Sequence, residues 1–206
     1  MSNFRLEACV ETYEESLFAH QHKASQLELC SSLNLDGLTP NISLSKKILN
    51  DIKIPIKVMI RNRSGNFVYS EDDVKIMLHQ IEEFKALKIQ GFALGALTES
   101  NDLDFTVLKT LCKKALPYPI TVHKCVDQLK DINQLIRLKE ISNIKFVLSS
   151  GGKETALLGI EKLKAMKELL SPEIQIIPAG KITSLNVHAI HDQLGVNIYH
   201  GRKIVG

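Results

Sequence analysis

Two pairs of residues in the N-terminal part of the chain combine a carboxylate with a thiol. Glu7 stands two residues before Cys9, and Glu28 stands two residues before Cys30. In a β-strand this spacing places both members of a pair on one face, because successive side chains point to opposite sides. Neighbouring strands lie about 4.7–4.9 Å apart, and thiolates are the soft ligands that select Cu(I). Cys9 and Cys30 are therefore candidate ligands for one Cu(I) ion.

Two guanidinium groups follow the apolar run Ile56–Ile60. Arg61 and Arg63 flank a polar loop, and Ser70 then begins a helix with a carboxylate three residues on, which is the pattern of an N-terminal cap. Arginine binds carboxylates and phosphates through two parallel hydrogen bonds. Arg61 and Arg63 are therefore candidate ligands for an anionic substrate.

Further candidates are groups that could transfer protons or bind phosphate near the ends of predicted strands. His123 and Asp127, like Glu7 and Glu28, could act as catalytic acid or base. The turn Ser150-Gly151-Gly152 resembles the glycine turns that bind phosphate in barrel enzymes, and His200 ends the last predicted strand.

A purely structural role is open for several of these residues. A buried glutamate can be the ion-pair partner of a basic residue, which is the alternative for Glu7 and Glu28. A buried cysteine usually behaves as a small hydrophobic residue, which is the alternative for Cys9 and Cys30. Cys112 lies on the apolar stripe of a predicted helix and is assigned to the core.

Short apolar runs alternate with longer amphipathic segments along the chain, which is typical of repeated βα units and a parallel sheet. Helical periodicity is seen, for example, in three separate sets of apolar residues. They are Val74, Met77, Leu78 and Ile81; Ile132, Leu135 and Ile136; and Leu157, Ile160 and Leu163. Eight strands are predicted, at Arg5–Val10, Gln26–Cys30, Ile56–Ile60, Gly91–Gly95, Ile120–His123, Lys145–Ser149, Ile174–Ile177 and Val196–His200.

Eight such units in 206 residues predict a single domain over residues 1–206, an α/β (β/α)₈ TIM-type barrel that lacks a full eighth helix. The alternative is an open doubly wound sheet, but no Gly-x-Gly-x-x-Gly motif follows the first strand. In a barrel, the polar strand residues should point into the mouth; these are Glu7, Glu28, Arg61, His123 and His200.

Composition excludes several classes of function. The chain has 26 basic and 23 acidic residues spread along its length, so we expect no nucleic-acid partner. No apolar leader and no run long enough to span a bilayer is found, so we expect a cytoplasmic protein with no membrane partner. The four cysteines are expected to be reduced thiols.

Only Gly201–Gly206 follow the last predicted strand, which is too short for an eighth helix. The outward residues Leu6, Ala8, Val10 and Tyr199 should then expose an apolar patch where the eighth strand meets the first. Two-fold assembly is the commonest way to bury such a patch, so we predict a homodimer.

Several motifs resemble those of the copper homeostasis protein CutC family, in the same order along nearly the whole chain. They are Leu6-Glu-x-Cys9-Val10, Leu27-Glu-Leu-Cys-Ser31, Gly37-Leu-Thr-Pro40, Val58-Met-Ile-Arg61 with Arg63 and Gly65, Phe67-x-Tyr-Ser70, Gly95-Ala-Leu-Thr-Glu99, Val147-Leu-x-Ser-Gly-Gly152 and Tyr199-His200. The resemblance implies a TIM-type barrel, cytosolic copper handling, homo-oligomers, and Cys9 and Cys30 as proposed copper ligands.

The chain departs from the family pattern at the predicted mouth. In the loop after the third strand, the family has proline and glycine where this chain has Asn62 and Asn66. Elsewhere, a family arginine is replaced by Lys124, a glycine by Ala179 and a glutamate by Ile198. These losses bear on any shared enzymatic chemistry more than on the fold. Whether the protein is an enzyme stays open, and the alternatives to copper binding are a barrel enzyme for a small anionic substrate and a catalytically silent homologue.

Overall fold

Eight parallel β-strands form one sheet in the computed structural model, which describes residues 4–206. The strands are β1 (Arg5–Val10), β2 (Gln26–Leu29), β3 (Ile56–Met59), β4 (Gly91–Leu94), β5 (Ile120–Val122), β6 (Ile144–Ser149), β7 (Gln175–Pro178) and β8 (Ile198–Gly201). The helices are α1 (Tyr13–Gln21), α2 (Ile42–Asp51), α3 (Glu71–Lys85), α4 (Phe105–Ala115), α5 (Ile160–Leu170) and α6 (Val187–Leu194). Three 3₁₀ segments span Leu33–Leu35, Lys124–Gln128 and Ile132–Glu140.

The sheet curves into a nearly closed barrel. From β1 to β7 each strand pairs with the next strand in sequence, and β8 returns to pair with β1. No strand pairing joins β7 to β8 within the described chain, but the two strands lie side by side, and Ile177 and Ile198 pack together inside. The TIM-type barrel prediction is confirmed and the open sheet is wrong.

Helices cover the outer faces of the strands with their apolar stripes. In α3, the side chains of Met77, Ile81 and Phe84 are almost fully buried. Burying each such side chain contributes about 1.5–3 kcal/mol. Ser70 caps this helix as predicted: its hydroxyl accepts from the amide of Asp73, whose carboxylate accepts from the amide of Ser70. A fixed start to α3 also fixes the end of the loop that carries Arg61.

Two helical predictions are wrong in detail. Residues Ile132–Glu140 form a 3₁₀ helix with three residues per turn, which buries Leu135 and Leu138 and leaves Ile136 46% exposed. The next helix begins at Ile160 rather than at Leu157, which is 44% exposed. The 3.6-residue period fails at 132–140 because the tighter helix returns to the same face every three residues.

The predicted exposed patch beside β8 is wrong. Ala8, Val10 and Tyr199 are buried within the chain itself, and Leu6 is partly buried. The Tyr199 ring lies 5.1 Å from the ring of Phe4, and its hydroxyl is 3.0 Å from Nδ1 of His191. Helix α6, which precedes β8, thus covers Tyr199. The homodimer prediction loses its argument from this patch and stays a prediction that the family resemblance implies.

Across residues 4–206, none of the helices combines the length and the apolar character needed to span a bilayer.

Candidate functional site

A cavity of about 350 Å³ lies at the carboxyl ends of the strands, where TIM-type barrels carry their sites. Many of the predicted site residues line it: Cys9, Glu28, Cys30, Arg61, His123, Asp127, Ser150, Gly152 and His200. Glu7 lies deeper, bonded to His200, while Arg63 and Gly151 are outside the lining. The period-two argument therefore placed the strand residues correctly.

The two thiols lie side by side at one edge of this cavity. Cys9 and Glu28 are register partners in β1 and β2, and the chain places the Sγ atoms of Cys9 and Cys30 4.0 Å apart. A disulfide needs about 2.05 Å, so these are two separate thiols. Each Sγ is 3.7 Å from Oε2 of Glu28. Two sulfurs and one carboxyl oxygen thus converge on one buried point.

The two thiols ionise differently. The hydrogen bond from Cys30, helped by nearby His200, lowers the pKa of Cys9 to about 5, although burial opposes the charge. The hydrogen bond to Cys9 and burial raise the pKa of Cys30 well above its usual value. At neutral pH, the pair therefore presents one thiolate and one thiol.

Glu7 is the centre of a buried network of polar side chains. Its carboxylate is 3.0 Å from Nζ of Lys57 and 3.0 Å from Nδ1 of His200. It also accepts a hydrogen bond from the side-chain amide of Gln26. Burial opposes the charge, but Lys57 and His200 outweigh it and lower the pKa of Glu7 to about 2. Lys57 also donates to Thr121, with 3.1 Å between Nζ and Oγ1. Glu7 is thus a fixed anion that joins several strands.

Glu28 and His200 lie between this network and the thiols. The Nε2 atom of His200 is 3.7 Å from Oε2 of Glu28. Burial raises the pKa of Glu28 to about 8. Burial opposes a charge on His200, but Glu28, Cys9 and Glu7 together raise the pKa of His200 well above its usual value. His200 is therefore the cation beside the Cys9 thiolate.

Arg61 is buried and holds the loops of the mouth together. Its Nη1 donates to the carbonyls of Leu35 and Gly37 at 2.8 and 3.2 Å, and its Nη2 donates to that of Gly65 at 2.9 Å. The guanidinium carbon lies 4.8 Å from the centre of the Phe67 ring. Its Nε has no acceptor among the described residues.

Arg63 does not take part in the cavity. Its Nε is 3.0 Å from the carboxylate of Asp73, and its Nη atoms donate to the carbonyls of Asn66 and Val68. The structure therefore gives no support to Arg63 as a substrate ligand, because these loop contacts already occupy the guanidinium. Its role is to fasten the loop to the first turn of α3.

Asp73 links this loop to the helix cap, and we expect Asp73→Asn to lower the free energy of unfolding by about 1 kcal/mol near neutral pH. Burial opposes the charge, but Asn62, Arg63 and Ser70 hold the pKa of Asp73 at about 2, below its ordinary 3.8. Its stabilising effect is therefore present above about pH 3.8 and is lost as the pH falls through about 2. Urea unfolding of both proteins from pH 2 to 7 measures this, and an equal difference at every pH would contradict it.

The glycine turn after β6 is already occupied by a carboxylate of the chain. Asp127 accepts from the amides of Ser150 and Gly152 at 3.1 and 2.9 Å and from the Ser150 hydroxyl at 2.8 Å. The amide of Gly151 donates to the hydroxyl of Ser149. The predicted phosphate site at Ser150–Gly152 thus lacks free amides, because an internal anion has taken the place of the ligand.

His123 caps the 3₁₀ segment Lys124–Gln128. Its Nδ1 accepts from the amide of Cys125 at 3.2 Å. Burial and the charge of Arg61 lower the pKa of His123 to about 3. The ring is therefore neutral at physiological pH and carries its proton on Nε2, for which the described chain offers no hydrogen-bond partner.

Three residues of this region were missed in the sequence. Lys57 and Gln26 lie two residues before Met59 and Glu28, so the same alternation places them inside the barrel. Phe67 lines the cavity from the loop after β3; it belongs to a motif of the family resemblance, but the sequence assigned it no role in the site. For Lys57, the signal in the sequence was a charged residue within an apolar strand, which indicates a buried ionic partner.

Two overlapping groups of side chains in residues 4–206 have the spacing of metal ligands. They are Cys9, Glu28 and Cys30, and Glu7, Glu28 and His200, with the ligand atoms of each group within 4.8 Å of one another. In the second group, the cationic Lys57 and His200 already neutralise Glu7. The first group offers two sulfurs, which suit a soft ion such as Cu(I).

Comparison with known proteins gives one consistent result. A sequence profile of the CutC family matches residues 4–205. A CutC family protein of Photobacterium profundum is 33% identical, and the match covers 95% of this chain and 80% of that protein. A copper homeostasis protein cutC homolog of Homo sapiens is 31% identical, and the match covers 97% of this chain and 73% of that protein. A crystal structure assigned to CutC of Streptococcus agalactiae superposes with a TM-score of 0.88 at 28% identity, covering 98% of this chain and 100% of its own.

Proposed function

This chain belongs to the CutC family, and from that premise we propose that it binds Cu(I) through Cys9 and Cys30 and takes part in copper handling in the cytoplasm. The names of its relatives support the copper part of this proposal. The observation that carries it is the pair of Sγ atoms 4.0 Å apart at the edge of an open cavity.

The state of the thiols suits this role. The Cys9 thiolate is ready to bind a metal ion, whereas Cys30 has to release its proton when the ion arrives. Copper is then cargo that enters and leaves through the mouth. All four cysteines are free thiols, as expected in a reducing compartment.

The participating strands also support a single domain over residues 1–206. The thiols and their carboxyl partners come from β1 and β2, and His200 comes from β8 at the other end of the chain. A site that needs both ends of the chain requires the whole barrel to fold as one unit.

The alternative of a barrel enzyme has weaker support. Glu7 is held by Lys57 and His200, and Asp127 is held by the amides and hydroxyls of its turn. A general acid or base must be free to exchange a proton near the pH at which it works. Of the four candidates, Glu7 is the least suited, since its pKa of about 2 makes it a very weak base.

The test is a titration of the reduced protein with Cu(I) under anaerobic conditions, in competition with a coloured Cu(I) chelator. We expect about one tightly bound Cu(I) per chain, because the two sulfurs converge on a single point. The control is Cys112→Ala, which removes a buried thiol of α4 outside the cavity and should leave the stoichiometry unchanged. Failure of the native protein to compete with the chelator would refute the proposal.

A further inference from the structure

We propose that the mouth cavity also binds a small ligand bearing a carboxylate or phosphate group, through Arg61 and His123. This site shares the cavity with the thiol pair but uses neither thiol, and it does not depend on copper. Both side chains line the cavity and are almost fully buried, with 2% and 3% of their surfaces exposed. Each also retains one nitrogen without an acceptor in residues 4–206.

The first donor is the guanidinium of Arg61. Three carbonyls, those of Leu35, Gly37 and Gly65, accept from Nη1 and Nη2 and fix its position. The N–H of Nε is left over, although leaving a buried donor unpaired costs about 1–3 kcal/mol and more for a charged group. A held guanidinium with a spare donor is a preorganised anion ligand.

The second donor is the imidazole of His123. Because its Nδ1 accepts from the amide of Cys125, the neutral ring must carry its proton on Nε2. The position of the proton is therefore fixed by the backbone. The depressed pKa of His123 agrees with this assignment, since the neutral ring donates through Nε2 alone.

Phe67 connects the two donors. Its ring centre lies 4.8 Å from the guanidinium carbon of Arg61 and 5.0 Å from the ring centre of His123. An anion bound to either donor would thus have an apolar ring beside it, and a site of low local dielectric strengthens charged hydrogen bonds.

The charged side chains that line the cavity are of both signs. Lys124, Lys153 and His200 attract an anion, while Asp36, Asp127 and the Cys9 thiolate oppose it. Asp127 is already neutralised by donors of its own turn and by Lys124, whose Nζ is 3.8 Å away. A volume of about 350 Å³ lies at the low end of small-molecule pockets, so the ligand is a small metabolite rather than a cofactor.

The experiment titrates the metal-free protein with orthophosphate and, separately, with malonate, at constant ionic strength adjusted with chloride. Isothermal calorimetry gives the affinity, and ¹⁵N spectra of the histidine side chains report on Nε2 of His123. We expect saturable binding of at least one of the two anions, together with a shift of the His123 Nε2 signal. The better probe identifies whether the natural ligand carries a phosphate or a carboxylate.

Variants separate a built site from general attraction by charge. His123→Asn keeps a side-chain acceptor for the cap and loses the Nε2 donor, and Arg61→Lys keeps the charge and loses Nε. Each is expected to weaken anion binding at least about tenfold, which is the loss of one charged hydrogen bond. The matched control is Arg63→Lys, an arginine outside the cavity, and it should bind like the native protein.

Folding is checked by circular dichroism before each titration, and His123→Asn decides the result if Arg61→Lys does not fold. Absence of saturable binding of both anions by the native protein would overturn the proposal. Unchanged affinity in folded His123→Asn would also overturn it. Retained anion binding in a Cys9→Ser, Cys30→Ser protein is expected, and its loss there would contradict the independence of the two sites.

Discussion

Replacing Cys9 and Cys30 together by serine is expected to lower the affinity of the reduced protein for Cu(I) by more than about a hundredfold. Changes to groups that only support a metal ligand already cost about 10–100-fold, and this double variant removes both thiols of the cluster. Serine keeps the size of the side chain but offers a hard oxygen, which Cu(I) does not favour. Competition with a Cu(I) chelator measures the change.

The single variants sharpen this result. Because the hydrogen bond from Cys30 lowers the pKa of Cys9, Cys9→Ser removes the thiol that ionises more readily, whereas Cys30→Ser removes the hydrogen bond that stabilises the thiolate. We expect both singles to lose most of the affinity. The control is Cys112→Ala, which lowers the thiol count by one and leaves the cavity intact. Unchanged affinity in the double variant would assign both cysteines to the barrel core and direct attention to Cys125, whose thiol is also buried.

The largest expected effect on stability comes from Lys57→Met. Methionine fills a similar volume but leaves Glu7, which has no exposed surface, without one of the two cations that lie 3.0 Å from its carboxylate. Removing one partner of a buried ion pair typically costs about 3–5 kcal/mol. That is a large part of the 5–15 kcal/mol by which domains are ordinarily stable. Urea unfolding at neutral pH measures the loss.

A surface pair provides the matched control. Lys75 and Asp72 lie 2.8 Å apart, with 70% and 84% of their side chains exposed, and such pairs contribute about 0–1 kcal/mol. Lys75→Met should therefore change stability little. Adding Glu7→Gln to Lys57→Met should lose less than the sum of the two single changes, because no uncompensated anion remains. If Lys57→Met lowered the free energy of unfolding as little as Lys75→Met, His200 alone would be enough to stabilise the buried charge of Glu7.

The fold and the inward face of the strands were accessible from the sequence alone. Alternating βα units predicted the barrel, and period-two spacing placed Glu7, Cys9, Glu28 and His200 in its interior. These features follow from local rules, since a strand fixes which side chains share a face and parallel strands need intervening helices. The same rule also places Lys57 inside the barrel.

The tertiary structure alone decided which polar groups are free to act. Arg61 and Arg63 look equivalent in the sequence, yet one lines the cavity and the other fastens a loop to Asp73. Asp127 and the glycine turn looked like separate candidates, and they satisfy each other. Hydrogen bonds between residues far apart in the chain depend on how loops pack, and no local pattern encodes them. For the same reason, only the structure showed that α6 buries Tyr199, which the end of the sequence had suggested was exposed.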